Sequence, residues 1–314
     1  FVDPVVVCTP VYTTTADNFV IRVRNVGAAG FEFAAVQATA DATLLGDKTV
    51  KCLVVEAGTY TVASHGVNVV AVSGLAAPVT GRDLGWNDFL DIQLDDFASP
   101  VVLGQVETAD DLSFQNFVAV GRVNRDDLPA TGRNRIARQI GEIDQADAPP
   151  AETVSYIVVE AGSGSLGDLA YEAGLASGVI GLTAFDGMAS LSTTPITSTI
   201  TLAGGVASSA IAVLSSAGVS GASGSFPLVF GSDGVSAGAL TVAVDEETVS
   251  KADRNHQSEE TLAYIVLESN PLPSATPSAT PSRSSTPSPT PSASPTISET
   301  ASPSPTISET ASPS

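Results

Sequence analysis

The chain has 314 residues, 43% hydrophobic but only 5% aromatic, with 34 acidic and 13 basic side chains and a formal net charge of −21. That length and apolar content allow two or three domains with their own cores, while the charge excludes nucleic acid and anionic membrane surfaces as partners, since both repel a polyanion. No apolar run reaches the roughly 18 residues of a membrane-spanning helix, so no membrane insertion is expected.

Val, Ala, Leu and Ile supply most of the apolar content, and Thr and Gly are abundant. Branched side chains pack well on a pleated surface, so the chain is predicted to be all-β. It opens at Phe1 without an initiator Met or a charged-then-apolar leader, which reads as a mature secreted product, extracellular or at the cell surface. The apolar run Val5-Val6-Val7 follows at once. Cys8 lies beside it, and Cys52 is the second of two cysteines. A disulfide between them would close a loop of about 43 residues and stabilise by roughly 4 kcal/mol; the other reading is two buried thiols. No paired-cysteine zinc spacing occurs, and no metal site is expected.

Three segments share one strand pattern: Lys51 to Gly58 (KCLVVEAG), Ser155 to Gly162 (SYIVVEAG) and Ala263 to Glu268 (AYIVLE). Each is preceded by a second strand-like segment, Gly30 to Val36, Ile136 to Gly141 and Leu240 to Val244, and further upstream by an apolar run: Val5 to Val7, Val101 to Leu103 and Ile211 to Leu214. The period of roughly a hundred residues is that of a domain rather than a solenoid. It predicts tandem antiparallel β-sandwich modules, jelly-roll or immunoglobulin-like, over 1–58, 59–163 and 164–269. The second and third modules carry extra strand-like sequence ahead of their apolar runs, including Val67 to Val72 and Phe89 to Leu94 in the second, whereas the first has almost none. An incomplete first module would leave an unpaired edge, which makes Val5, Val6 and Val7 candidate assembly residues that take a strand from a neighbouring copy. The alternative is a smaller, self-sufficient sandwich stapled by Cys8 and Cys52.

Polar motifs point weakly to chemistry. His65 and His256 are the only histidines and lie in turn-like and loop sequence, without the nucleophile and orienting acid of a catalytic triad. The run Trp86 to Phe97 alternates, with Phe89, Asp91, Gln93 and Asp95 on one face and Leu90, Ile92 and Leu94 on the other; it is a half-buried strand and lacks calcium-loop spacing. Trp86, the one tryptophan, is a packing residue or a platform for a sugar. Arg122, Arg125, Arg133, Arg135 and Arg138 are five of the 13 basic residues. They either pair locally with Asp126, Asp127, Glu142 and Asp144 or dock a neighbour's carboxylates; Arg122, Arg125, Arg133 and Arg135 join the assembly candidates. Nothing predicts an enzyme.

From Asn270 the composition changes: 11 of the 20 prolines lie in 271–314, mixed with Ser, Thr and Ala, and the ten residues Ser294 to Pro303 recur at Ser304 to Pro313. Such sequence cannot form a core and favours extended polyproline II, up to roughly 136 Å in length. Segment 270–314 therefore reads as an O-glycosylated stalk. Candidate glycosylation positions are Pro277, Pro281, Pro287, Pro289, Pro291, Pro295, Pro303, Pro305, Pro313, Ser288, Ser304, Thr290, Thr296 and Thr306. None of the nine asparagines sits in an Asn-x-Ser/Thr acceptor. No cofactor is expected beyond covalent O-glycans.

Ser99 to Val106 taken with Glu152 to Gly162, His256 to Glu268, and Phe19 to Val26 with Gly30-Phe31 resemble the β-sandwich repeats of H-type-lectin-like extracellular proteins. Ala203 to Gly238 departs from that pattern, and no position matches the lectins' sugar contacts. The tail resembles the hydroxyproline-rich glycoproteins of algal and plant surfaces, which implies hydroxylated, glycosylated prolines. Together the resemblances imply a self-assembling subunit of a glycosylated surface fibril or mastigoneme-like filament, whose partners are other copies of itself and glycans. The alternative is a secreted carbohydrate-binding protein with the tail as spacer.

Overall fold

A computed structural model describes residues 1–39, 43–110, 114–143, 150–166, 169–182, 195–203, 210–232, 234–236, 238–249, 254 and 256–268. The tail, with every candidate glycosylation position, lies outside the described residues. Strands dominate, as the composition predicts. In chain order they are β1 (Pro4–Tyr12), β2 (Phe19–Gly27), β3 (Gly30–Gln37), β4 (Leu44–Leu45), β5 (Thr49–Glu56) and β6 (Gly58–Tyr60). After a single helical turn, α1 (Val62–His65), come β7 (Val69–Ala76), β8 (Val79–Thr80), β9 (Leu90–Gln93), β10 (Pro100–Val106), β11 (Asn116–Val120), β12 (Arg133–Gln139) and β13 (Thr153–Glu160). The rest are β14 (Gly162–Leu166), β15 (Leu169–Val179), β16 (Ser198–Thr201), β17 (Ile211–Ala217), β18 (Phe226–Phe230), β19 (Val235–Ser236), β20 (Ala239–Asp245) and β21 (Glu260–Leu267).

The threefold repeat is visible in the pairing. Opening and closing strands of each repeat form antiparallel ladders, β1 with β5, β10 with β13 and β17 with β21. Between them lies a second antiparallel pair, β2 with β3, β11 with β12 and β18 with β20. The recurrent glutamate has a structural role. Glu56 accepts hydrogen bonds from the Val2 and Asp3 amides, both at 2.7 Å, and Glu160 accepts from Ala98 and Ser99 at 3.0 and 2.6 Å. Each carboxylate thus ties down the backbone entering the opening strand. The two Glu56 bonds, led by that from Asp3, hold its carboxyl below the usual range.

The repeats are not separate modules. Residues 1–270 form one compact unit, and the sheets cross the boundaries expected at 58/59 and 163/164. β1 of the first repeat runs parallel to β18 of the third, with Val11 opposite Val229; β11 of the second runs parallel to β17 of the third, with Ala119 opposite Ala217. One apolar cluster takes Val5, Val7 and Leu53 from the first repeat, Val101, Leu103 and Ile157 from the second, and Val213, Ala263 and Ile265 from the third. Four short strands cannot cover both their faces alone, so each repeat buries its inner face against the other two.

Val5, Val6 and Val7 are all 0% exposed: Val5 and Val7 face the shared cluster, and Val6 faces a second one with Tyr12 and Phe19. The edge expected at these residues is therefore absent from β1, which β5 flanks on one side. An unbroken apolar run signals a strand covered on both faces, and β1 is buried throughout. Cys8 and Cys52 form a disulfide directly across the β1–β5 ladder.

The three opening strands meet through side chains rather than a backbone ladder. The Cys8 amide donates to Gln105 Oε1 at 3.1 Å, the Gly104 amide to Ser215 Oγ at 2.9 Å, and the Leu214 amide to Thr9 Oγ1 at 2.8 Å. Thr9, Gln105 and Ser215 face Lys51, Ser155 and Ala263, each five residues before the recurrent glutamate, so all three occupy one position of the repeat. Each of these side chains thus satisfies the backbone of the next strand, and the three contacts close a ring. Gly104 leaves no room for a side chain, because a Cβ there would stand 2.4 Å from the Phe117 ring. Glu107 adds a further link, accepting from the Val6 amide at 2.8 Å and from Ser155 Oγ.

Two predictions follow from these buried groups. Ser215→Ala leaves the buried Gly104 amide without its acceptor and is expected to lower stability by roughly 1–3 kcal/mol, measured by denaturant unfolding. Burial pushes the Glu107 carboxyl above the usual range, partly offset by Ser155 and Val6. A raised carboxyl favours the folded state when protonated, so that contribution fades as pH climbs from the unfolded value of about 4.3 through the folded one. Glu107→Gln should therefore match wild type near pH 4 and gain on it towards pH 7 in pH-dependent thermal melts.

Candidate assembly edge and basic cleft

The closing strands β5, β13 and β21 are equivalent but differently covered. β7 lies antiparallel on the outer edge of β13, and β15 lies likewise on β21. β5 ends its sheet, and among the described residues no strand pairs with its outer edge. Burial follows the pairing. Six of the eight residues of β13 are buried and seven of eight in β21, against one, Leu53, in β5. The strand carries Val50, Val54 and Val55, half-buried, around Cys52. It is a β-branched edge with little side-chain cover, the kind that accepts a further strand.

The second feature is a polar cleft of about 510 Å³ lined by Gly85, Trp86, Asn87, Val123, Asn124, Arg125, Asp126 and Arg135. Its floor begins in the sequence after β8. Gly85 and Trp86 both take left-handed backbone, at φ 77° and 54°. A left-handed tryptophan is strained, and such strain gathers at working sites. Trp86 is 8% exposed and packs with Val118, Val120, Ala137 and Val219. Arg125 lies over the ring, 5.6 Å from its centre, and Arg135 covers Phe89 at 4.7 Å. The opposite wall is a turn held by Asp127, whose carboxylate accepts the Val123 and Asn124 amides at 2.7 and 2.8 Å. These bonds, Asn124 first, hold the Asp127 carboxyl below the usual range.

The five arginines grouped by sequence are thus separated by the fold. Arg125 and Arg135 share the cleft. Arg133 pairs with Asp91 on the exposed face of β9, and Arg138 is buried, donating to the Ala77 carbonyl at 3.0 Å and Gln115 Oε1 at 2.8 Å. Arg122 is exposed in the turn after β11. β9 keeps the alternation read from the sequence, with Asp91 and Gln93 exposed and Ile92 buried.

His256 is buried, with Nε2 3.0 Å from Glu260 Oε1, and Glu260 also accepts the Ser220 and Gly221 amides at 2.9 Å each. Sequence reasoning missed the buried ion pairs that join the repeats. Arg22 reaches Glu152 at 3.0 Å between the first and second repeats. Arg254, paired with Asp245, donates to the Thr15 carbonyl at 2.7 Å, joining the third repeat to the first. Their only sequence signal is a charge within an apolar run, as at Arg22. Among the described residues no cluster of three or more His, Cys, Asp or Glu is placed to hold a metal, and no helix is long and apolar enough to cross a membrane. No family model matches this chain, and neither a curated protein nor a solved structure is significantly similar to it.

The uncovered edge has a measurable signature. In hydrogen–deuterium exchange of the dispersed protein, backbone amides of β5 should exchange clearly faster than those of β13 and β21, although all three strands flank the same core. Equal protection would mean that β5 is covered.

Proposed function

We propose that the chain is a structural subunit of an extracellular glycosylated filament or surface fibril, held together by β-strand addition between copies. The observation that carries this reading is the open edge of β5, at the position where β13 and β21 each hold a covering strand. Backbone hydrogen bonds supply affinity in such additions and the side chains of the edge supply register. The donor we assign is β14 of a neighbouring copy. It ends the largest sheet, four of its five residues are exposed, and its Gly-Ser-Gly-Ser sequence offers no bulk to block approach. An edge at one site that joins a different edge on the next copy makes a heterologous contact, which propagates as an open filament unless it closes into a ring. The Ser/Thr/Pro composition after Asn270 supports a glycosylated, non-core tail on each subunit.

Guarding either edge with a charge tests the mechanism. Val54→Lys places an ammonium group on the acceptor edge and Ser163→Lys on the donor edge. Wild-type protein with its tail should polymerise in electron micrographs and sedimentation, and each variant alone should stay monomeric while still unfolding cooperatively. Mixed together, the two variants should form pairs and stop there, because one intact edge of each kind remains. A monomeric wild type, or variants that polymerise normally, would remove the strand-addition reading.

A further inference from the structure

We infer that the cleft between Trp86 and Arg135 binds an acidic sugar unit, a uronate or a sulfated hexose, independently of the assembly edge. The argument begins with charge. On a chain with 34 acidic and 13 basic residues, cations find carboxylates easily. Arg22, Arg24, Arg82, Arg133, Arg254 and Lys48 each do so within ion-pair distance. Lys51, Arg122, Arg125, Arg135 and Arg138 do not, among the described residues, and of these Arg125 and Arg135 line the cleft. Their protein contacts are to backbone carbonyls: Arg125 to Ser220 and Gly221 at 3.3 and 3.5 Å, Arg135 to Val123. Two guanidinium groups in a concave site, neither in direct ion-pair contact with a carboxylate, have the chemistry to hold an anion bidentately.

The rest of the lining decides what kind of anion. Asn87, Asn124 and Asp126 add neutral donors and acceptors and one carboxylate. A bare phosphate or sulfate offers only acceptor oxygens, so Asp126 would repel it. A ring that carries one acid and several hydroxyls uses both halves: the acid meets the arginines and the hydroxyls donate to Asp126 and the asparagine carbonyls. About 510 Å³ is room for a sugar unit and part of its neighbour. The strained backbone at Gly85-Trp86 sets this geometry. A Cβ at Gly85 would stand 2.8 Å from Asn87 Nδ2, so glycine there keeps the Asn87 amide where it is.

Trp86 is the only tryptophan, so its fluorescence reports on this site alone. The test titrates the full chain with oligogalacturonate, with a sulfated galactan and with a neutral oligosaccharide of equal length, following Trp86 emission and calorimetric heat together. Expected are binding of one or both acidic sugars with a change in Trp86 emission, weakening with salt, and no binding of the neutral sugar. Arg125→Gln should weaken binding about tenfold or more, and Asp126→Asn should narrow the preference for a sugar over free sulfate; thermal melts establish that both variants fold. Which acidic sugar binds identifies the acid. Equal binding of the neutral sugar, heat without a change in Trp86 emission, full affinity in Arg125→Gln, or no binding by either acidic sugar would each overturn the inference. Polymerisation of the two lysine edge variants is read separately, so either proposal can fail alone.

Discussion

The fold depends on a ring of three polar side chains at the centre of an apolar core. β1, β10 and β17 each pair with an antiparallel partner and approach one another at the centre, while the far ends of β1 and β17 run parallel to β18 and β11. At that approach the amides of Cys8, Gly104 and Leu214 point into the core, where an unpaired donor costs about 1–3 kcal/mol. Gln105, Ser215 and Thr9 supply the acceptors, and all three are buried. Glutamine reaches further than serine or threonine, and Gly104 lies against Phe117 with no space to spare. One polar position per repeat, repeated three times, converts a tandem sequence into an interlocked unit.

That ring makes the three closing strands equivalent without giving them equivalent neighbours. β7 and β15 lie in the connections after the first and second repeats, and each folds onto the closing strand of the repeat that follows. The first closing strand, β5, is the one left bare among the described residues. It is also the strand that the disulfide fixes to β1. Of the two sequence readings of the first repeat, the open edge is not at Val5 to Val7, and the staple is present without making the repeat self-sufficient; the uncovered edge lies on β5. The covalent link lies across the one ladder of the three whose closing strand lacks a covering strand among the described residues.

Much of this was legible in the residues. The apolar runs and the three glutamate-bearing segments mark the ladders of all three repeats. Burial on both faces of β1 was legible too, since Val5-Val6-Val7 is a continuous run rather than an alternation. What the sequence hid was adjacency. Periodicity reports which face of a strand is buried, but nothing in β1 or β18 announces that they run side by side, separated by more than two hundred residues. A repeat of domain length therefore reads as separate sandwiches. The cleft was half legible: Trp86 and the arginines stood out, yet only the fold separates Arg133, paired with Asp91, and Arg138, buried away from the cleft, from Arg125 and Arg135, which line it.

A charge of −21 constrains how such a chain meets other copies of itself. Like charges repel over about a Debye length, about 8 Å at physiological salt, so long-range attraction between copies is absent and contact must be won at short range. A backbone edge suits that situation, because its donors and acceptors carry no net charge and act only on contact. The arginines cannot serve the same purpose broadly, since most are already consumed by the protein's own carboxylates. Arg122, Arg125, Arg135 and Arg138 make no ion pair among the described residues, and of these Arg125 and Arg135 line the cleft beside strained backbone, where they suit a small acidic ligand better than an extended acidic surface. The fold thus keeps its two unsatisfied capacities on separate elements, one made of backbone hydrogen bonds and the other of charge.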